Sequence, residues 1–204
     1  MSQNPRIERS INRILGVDEA GRGPLAGPVV AAGVVLDPER PISGLNDSKK
    51  LSAKKRESLY QEIYERALVV VVHEISVAEI DQINILQATL KAMGQVIAAC
   101  QQRLPLQSVL IDGNQIVPHM PDVNQRAIIK GDSSEECIMA ASIIAKVHRD
   151  RLMDAIHEDF PAYGFKSHKG YGTKAHIDAI MSFGPTPHHR MSFAPLKGML
   201  WPSL

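Results

Sequence analysis

Four acidic residues stand at or just after short apolar runs that are typical of buried strands. They are Asp18, Glu19, Asp112 and Asp132. In open α/β sheets the carboxyl ends of strands meet at one edge, so we expect these acids to converge. Converged carboxylates repel one another and favour a bound cation, and oxygen ligands suit Mg²⁺ or Mn²⁺. One acid at a strand end is more often a turn cap, but four together predict a metal site able to hydrolyse a phosphodiester.

Asp18 and Glu19 are neighbours, which poses a geometric difficulty for a shared site. Successive residues of a strand point to opposite faces, so both side chains can face one ion only where the pleat breaks. The glycine turn that begins at Gly21 permits such a break. We therefore expect both carboxylates to contribute.

The turn Gly21-Arg22-Gly23 can bring bare backbone close to a sugar or a phosphate, with Arg22 supplying a planar set of donors. An alternative is a dinucleotide site, because Gly21–Ala26 matches the pattern G-x-G-x-x-A after a strand. That fingerprint requires a helix, whereas the β-branched run Val29–Leu36 predicts a strand. Without a helix N-terminus the pyrophosphate lacks its amide donors, so the sequence disfavours the dinucleotide hypothesis.

The composition is that of an ordinary globular domain. The chain has 204 residues, of which 44% are hydrophobic, and a formal net charge of +1, which excludes a uniformly basic protein. No apolar run is long enough to predict a membrane span, and the first residues lack the apolar core of a secretory signal. Two cysteines are too few for a disulfide framework or a zinc cluster. We therefore expect a cytoplasmic protein that is not associated with membranes.

Positive charge is concentrated in two stretches of the chain. One spans residues 49–56, and the other, residues 160–204, contains a single acid and five basic residues: Lys166, Lys169, Lys174, Arg190 and Lys197. Local positive surface on a near-neutral protein suits contact with a polyanion. Two solvated faces without a partner are the alternative from charge alone.

The elements that must position these residues alternate between strands and helices. Apolar runs predict strands near residues 14–17, 29–36, 68–72, 109–111 and 127–129. Helical spacing predicts helices after Ser52, at 77–83, at 85–100, after a capping box formed by Ser133 and Glu136, and at 173–183. The order predicts an α/β fold with a mixed central sheet of about five strands flanked by helices, and a small C-terminal helical extension.

A few other side chains have predicted surroundings. Tyr171 lies between two glycines, which predicts an exposed turn that presents its ring. Lys146 and Arg149 are expected on a solvated helix face. His188 and His189 either assist product release or contact phosphate, or they only order the C-terminal segment, and the sequence leaves these alternatives open.

Several stretches of the chain carry motifs that occur together in one protein family. They read DEAGRGPLAGP at 18–28, LNDSKKL at 45–51, IDG at 111–113, KGDS at 130–133, AASIIAKV at 140–147, HKGYGT at 168–173 and HRMSF at 189–193. Together they resemble the ribonuclease HII family, or type 2 ribonuclease H, from residue 14 to about residue 198. The related type 3 enzymes carry glutamate where this chain has Asp132, which favours type 2.

The resemblance implies an RNase H-like fold and a metal-dependent endoribonuclease that uses Mn²⁺ or Mg²⁺. Its substrates would be RNA–DNA hybrids and DNA duplexes with single ribonucleotides, cut on the 5′ side to leave 5′-phosphate and 3′-hydroxyl ends. The resemblance further implies a single catalytic domain at 14–204 with a C-terminal substrate-binding segment. Residues 1–13 fall outside it and are expected to form a flexible leader. The sequence gives no evidence for an oligomer, so we expect a monomer. A non-catalytic module that binds RNA–DNA hybrids is the alternative.

The resemblance also implies a role for each candidate residue. The family's catalytic and metal-binding acids fall on the four carboxylates already grouped. Its ribose-sensing turn falls on Gly21, Arg22 and Gly23, and Lys49 matches a lysine that contacts phosphate. Its junction-reading tyrosine falls on Tyr171, which would stack on the deoxyribose that follows the ribonucleotide.

Overall fold

The computed structural model describes residues 13–118, 120 and 122–198, so all but the last residue of the predicted leader lies outside the described residues. The strands are β1 (Ile14–Ala20), β2 (Val29–Val35), β3 (Val69–Ile75), β4 (Ser108–Asp112) and β5 (Gln125–Ile128). The helices are α1 (Ala53–Arg66), α2 (Val77–Ile83), α3 (Ile85–Gln101), α4 (Glu136–Asp159), α5 (Phe165–His168) and α6 (Lys174–Phe183). None of these helices is both long enough and apolar enough to cross a membrane.

The strands form one mixed sheet in the order β3-β2-β1-β4-β5. β1, β2 and β3 pair antiparallel, whereas β4 pairs parallel with both β1 and β5. This arrangement confirms the predicted five-stranded mixed sheet. Its parallel half directs the carboxyl ends of β1, β4 and β5 to one edge, where the predicted acids stand.

Helices cover both faces of the sheet and bury every residue of β2. One face packs against α3, with Val96 and Ile97 in the core. The opposite face packs against α1 and α4, with Leu59, Ile63 and Ile144 in the core. Burial on both faces explains why β2 is apolar throughout and does not alternate with polar residues.

The position of α4 depends on a glycine in β1. A Cβ added at Gly16 would lie 2.2 Å from the carbonyl carbon of Cys137, so α4 rests directly on the strand backbone. On the opposite face, a Cβ added at Gly33 would lie 2.4 Å from Cγ1 of Val96 in α3. The first approach fixes α4 on the strand that carries Asp18 and Glu19, and the second fixes α3 on the neighbouring strand β2.

We expect Gly16→Ala to destabilise the protein more than Gly33→Ala. The alanine at position 16 meets backbone, which can move only with the helix, whereas the alanine at position 33 meets a side chain. Overpacking typically costs about 1–3 kcal/mol, and we place Gly16→Ala at or above the top of that range. Thermal unfolding followed by circular dichroism measures the difference, and equal Tm values for the two variants would contradict the prediction.

The C-terminal extension packs against the turn after β1. Phe165 is buried in a small core that includes Leu25, Met153 and Ile180. The N–H of Leu25 donates to the carbonyl of Gly170 at 2.8 Å, and the carbonyl of Leu25 accepts from the N–H of Arg190. The predicted helical extension is thus confirmed, and it is joined by hydrogen bonds to the segment that follows Asp18 and Glu19.

The start of α4 differs from its prediction. Ser133 lies in a separate 3-10 turn, Gly131–Ser133, and its Oγ is 3.4 Å from Oδ1 of Asp132. α4 begins at Glu136 with Glu135 at its N-cap, and no side chain caps it. The capping-box prediction is therefore wrong, because the chain places Ser133 inside the 3-10 turn and two residues before the N-cap of α4.

Candidate active site

Strand register places Asp18 beside Asp112. β1 and β4 run parallel with Val17 opposite Ile111, and each acid is the next residue of its strand. Neighbouring strands lie about 4.8 Å apart, so the two carboxylates share one edge of the sheet. Asp18 is buried and Asp112 is half-buried.

A backbone hydrogen bond brings Asp132 to the same place. After β5, Lys130 adopts a left-handed conformation with φ of 59°, and the chain enters the turn Gly131–Ser133. The N–H of Asp132 donates to Oδ1 of Asp112 at 3.2 Å. The Asp132 side chain is itself buried. Three acids from three strand ends are thereby brought together, as the sequence predicts.

Glu19 reaches this region from the opposite face of the sheet. β1 stays paired with β2 through Ala20, opposite Val30, so β1 lacks the pleat break that the glycine turn would permit. Glu19 lines a cavity with Asp18 and residues of α4, and it also lines a smaller one with Asp112 and residues of α3. Its carboxylate therefore borders both neighbouring acids without any distortion of the strand.

The acids carry more negative charge than the protein balances. Burial, followed by the charges of Glu19 and Asp112, raises the pKa of Asp18 well above its usual value. Burial also raises the pKa of Asp112 in spite of the N–H of Asp132, whose carboxylate adds to the rise. The pKa of Glu19 is raised by burial although Arg22 opposes the change. A bound cation would relieve this repulsion.

Two long basic side chains stand at the rim of the acidic cluster. Nζ of Lys49 lies 3.5 Å from Oδ2 of Asp132, and Nη1 of Arg22 lies 3.5 Å from Oε1 of Glu19. Burial acts to lower the pKa of Lys49, but the neighbouring acids, Asp132 first, outweigh it and raise that pKa. At least half of each basic side chain is exposed, so both remain able to contact a ligand.

The donor set fits a hard divalent cation. The candidate ligands are carboxylates, which suit Mg²⁺ and Mn²⁺ better than Zn²⁺. Within the part of the chain that the structure describes, no group of three or more acidic, histidine or cysteine side chains is already arranged to hold a metal ion. An ion here would keep open positions for water and substrate oxygens, which is typical of Mg²⁺ sites.

The glycine turn and Tyr171 form the other side of the site. A cavity of about 270 Å³ contains the predicted residues Asp18, Glu19, Gly21, Arg22, Gly23, Lys49 and Tyr171 in its lining. A Cβ added at Gly23 would lie 3.6 Å from Cε1 of Tyr171, so ring and turn face each other at close range. Tyr171 is 48% exposed, which confirms that its ring is presented to solvent.

Arg149 holds the segment after the glycine turn through hydrogen bonds to backbone carbonyls. It is only 1% exposed, so the prediction of a solvated face is wrong at this position. Its guanidinium donates to the carbonyls of Ala26 and Lys169, each at 2.9 Å. A signal was available in the sequence, because Arg149 lies midway between Ala145 and Met153 on the buried stripe of α4.

Arg190 holds the glycine turn itself. It is fully buried and donates to the carbonyls of Gly21 at 2.6 Å, Arg22 at 3.0 Å and Gly27 at 3.0 Å. Burial, followed by the charge of Arg149, lowers the pKa of Arg190 to about 9. The sequence showed this residue only as part of a basic stretch, whereas the structure uses its fork of donors inside the protein.

The comparisons with known proteins identify the family. The chain matches the family model described as ribonuclease HII over residues 15–196. Ribonuclease HII 1 of Methylibium petroleiphilum is 57% identical over 185 residues, which cover 91% of each chain. The chain belongs to the ribonuclease HII family.

Solved structures of other ribonucleases agree with this assignment. The ribonuclease H2 of Pyrococcus horikoshii is 27% identical, with a TM-score of 0.72 over 91% of this chain and 95% of that one. The ribonuclease HII in a PCNA complex from Archaeoglobus fulgidus is 28% identical, with a TM-score of 0.73 over 94% and 98%. The expected RNase H-like fold is confirmed.

The family assignment also confirms the predicted activity. As a member of this family, the protein is an endoribonuclease that binds nucleic acid and cleaves RNA in RNA–DNA hybrids and at single ribonucleotides in DNA. The dinucleotide alternative is wrong, because strand β2 follows the glycine turn where that site needs a helix.

Proposed function

We propose that the four acids of the cluster are the catalytic residues and that they hold one or two Mg²⁺ or Mn²⁺ ions. They are Asp18, Glu19, Asp112 and Asp132. Their convergence from three strand ends carries the proposal, supported by the raised pKa values of three of them. When bound, such ions activate water and stabilise charge on the scissile phosphate. The expected products carry 5′-phosphate and 3′-hydroxyl ends.

The glycine turn and Tyr171 are proposed to recognise the ribonucleotide. The 2′-hydroxyl alone separates ribose from deoxyribose, so a selective site must approach it closely. Gly21 and Gly23 allow this approach, and the buried clamp of Arg190 holds the turn rigid. The exposed ring of Tyr171, close to Gly23, is placed to stack on the deoxyribose that follows.

Lys49 and Arg22 are proposed to contact phosphates of the substrate. Each is paired loosely with a carboxylate of the cluster, at 3.5 Å, and each side chain reaches solvent. A phosphate that enters beside the acids brings further negative charge, which these two cations can balance.

We further propose that residues 14–204 act as one catalytic domain whose C-terminal segment binds substrate. The hydrogen bond between Leu25 and Gly170 supports this, because it joins that segment to the active-site turn. We also propose a monomer that works in the cytoplasm, where the free thiols of Cys100 and Cys137 suit a reducing environment.

A DNA duplex with one embedded ribonucleotide tests the proposed chemistry. With Mg²⁺ or Mn²⁺ we expect a single cut on the 5′ side of that nucleotide, and no cut in a matched all-DNA duplex. Excess EDTA should reduce the rate to background, because the carboxylates then hold no ion. End-labelled substrates resolved on a denaturing gel give position and end chemistry together. Unchanged cleavage in EDTA would refute the metal site, and binding without scission would indicate a non-catalytic hybrid-binding module.

A further inference from the structure

Three histidines form a network behind Tyr171 that the proposed chemistry does not use. They are His168, His176 and His189. His176 and His189 are almost fully buried, and the aromatic rings of Tyr163 and Phe165 pack around them. The hydrogen-bond partners of these rings determine which ring nitrogen donates and which accepts.

The first step of this chain of hydrogen bonds is the tautomer of His189. The backbone N–H of Thr186 donates to Nδ1 of His189 at 2.8 Å, so that nitrogen must be an acceptor. A neutral imidazole with Nδ1 as acceptor carries its proton on Nε2. That Nε2–H points to Nε2 of His176, 3.0 Å away.

The chain of hydrogen bonds ends at the backbone carbonyl of Tyr171. Nδ1 of His176 lies 2.9 Å from the Tyr171 carbonyl, which can only accept, so Nδ1 carries the proton. Nε2 of His176 is then free to accept from His189, and the chain of donors is complete. Burial lowers the pKa of His176 and, with the charge of His176, lowers the pKa of His189 to about 4. Both rings are therefore neutral near pH 7, as this chain of hydrogen bonds requires.

His168 holds the other side of the same loop. Its Nδ1 accepts from the N–H of Gly170 at 3.2 Å, and its Nε2 donates to the carbonyl of Tyr163 at 2.8 Å. Its ring stacks on that of His176, with centroids 4.4 Å apart. The histidines thus fix the backbone on both sides of a tyrosine whose ring is about half exposed.

We propose that His176, supported by His189, is a positioning residue that fixes the backbone of Tyr171 and so aims its ring at the substrate. This inference rests on the proposed role of Tyr171 in reading the junction after the ribonucleotide. An exposed aromatic ring is directed by its backbone, so a loop held at its carbonyl presents the ring in one orientation.

Two substitutions at one position separate the two hydrogen bonds of His176. Asparagine places an N–H near the Nδ1 position and keeps the bond to Tyr171, whereas glutamine reaches towards His189 and leaves that carbonyl without a donor. We expect His176→Gln to lower kcat/KM on the single-ribonucleotide duplex by about tenfold, the scale of one hydrogen bond. His176→Asn should stay within about threefold of wild type. A long RNA–DNA hybrid, which has no junction, should be cleaved by both variants at nearly the wild-type rate.

A double-mutant cycle with Tyr171→Ala decides whether His176 acts through the tyrosine. We expect His176→Gln to cause no further loss once the ring is absent, since coupled residues are not additive. An equal loss in both backgrounds, or an equal loss on both substrates, would overturn the positioning role. If Tyr171→Ala alone cleaved the single-ribonucleotide duplex at the wild-type rate, the proposed role of Tyr171 would be overturned, and the inference with it.

His189→Asn provides an independent second variant should His176→Gln fail to fold. Its Oδ1 still accepts from Thr186, but no donor reaches His176. We expect a smaller loss than for His176→Gln, again on the junction substrate and again only when Tyr171 is present. Thermal unfolding of each variant confirms that the kinetic comparison concerns folded protein. A loss that persists in the Tyr171→Ala background would overturn the inference.

Discussion

Asp18→Asn and Asp112→Asn are each expected to lower the cleavage rate by at least about 10²-fold while the protein remains folded. Groups that act on charge at the reacting phosphate contribute effects of this size. The two acids stand on adjacent parallel strands, one residue beyond Val17 and Ile111, so each substitution removes one of two neighbouring proposed ligands. The shape of asparagine is nearly that of aspartate, and the loss therefore reports charge and ligation.

Asp18→Asn should also make the metal-free protein more stable. Burial and the charges of Glu19 and Asp112 raise the pKa of Asp18 in the folded protein above its value in the unfolded chain. The folded state then holds a proton that the unfolded chain has lost, so stability falls as the pH rises from the unfolded pKa to the folded one. Asparagine is neutral at every pH and removes this cost at neutral pH. We expect a higher Tm, at about 2–4 °C for each kcal/mol gained.

Added Mn²⁺ should reverse the order of stability. An ion that binds only the folded state raises the Tm of the wild type, and this gain should be reduced in Asp18→Asn and Asp112→Asn. Asp122→Asn is a matched control, because Asp122 is exposed before the first residue of β5, at the opposite end of the sheet from the cluster. It should leave rate and Mn²⁺ response unchanged. Substantial activity in either cluster variant would end the metal-site proposal.

Local patterns predicted the five strands and most of the helices, and they placed the four acids at or just after strand ends. Continuous β-branched runs predicted the strands, and helical spacing with Ser52 as N-cap predicted α1, because both signals depend on residues close in the chain. Asp112 could be placed at a strand end, but its position beside Asp18 depends on register, which local periodicity does not contain. The Ser133 prediction failed because Ser133 ends a separate 3-10 turn and α4 begins only at Glu136, so the serine does not stand at the N-cap.

The hydrogen-bond partners of the buried polar residues were beyond local patterns. Arg149 and Ala26, for example, are joined by a hydrogen bond across 123 positions, and Arg190 and Gly21 across 169. A sequence shows that an arginine is charged, but not that a loop of free carbonyls will surround it. The same holds for His189, which the sequence left between two roles and which the structure buries behind Tyr171.

Arg190→Ala is expected to cause the largest loss of stability among the residues around the site. The substitution leaves a cavity and removes the arginine donors from the carbonyls of Gly21, Arg22 and Gly27, and the bonds to the first and last of these are buried. Unsatisfied buried groups and a lost large side chain together suggest about 3–5 kcal/mol. For a chain of this size that is a fall in Tm of roughly 6–20 °C. Because two of the freed carbonyls, those of Gly21 and Arg22, belong to the glycine turn, cleavage at single ribonucleotides should fall at temperatures where the variant is still folded.

Two further substitutions test whether the glycine turn is held by the several hydrogen bonds of Arg190 or by its positive charge alone. Arg190→Lys keeps a positive charge, but one ammonium group cannot reach carbonyls that the planar fork contacts from several nitrogens, so we expect only partial recovery of Tm. Arg126→Ala removes an exposed arginine from β5 and should change stability by no more than about 0.5 kcal/mol. Full recovery by lysine would show that charge alone holds the turn. A Tm for Arg190→Ala close to that of Arg126→Ala would show that the turn keeps its conformation without the clamp, and its rigidity would then need another source.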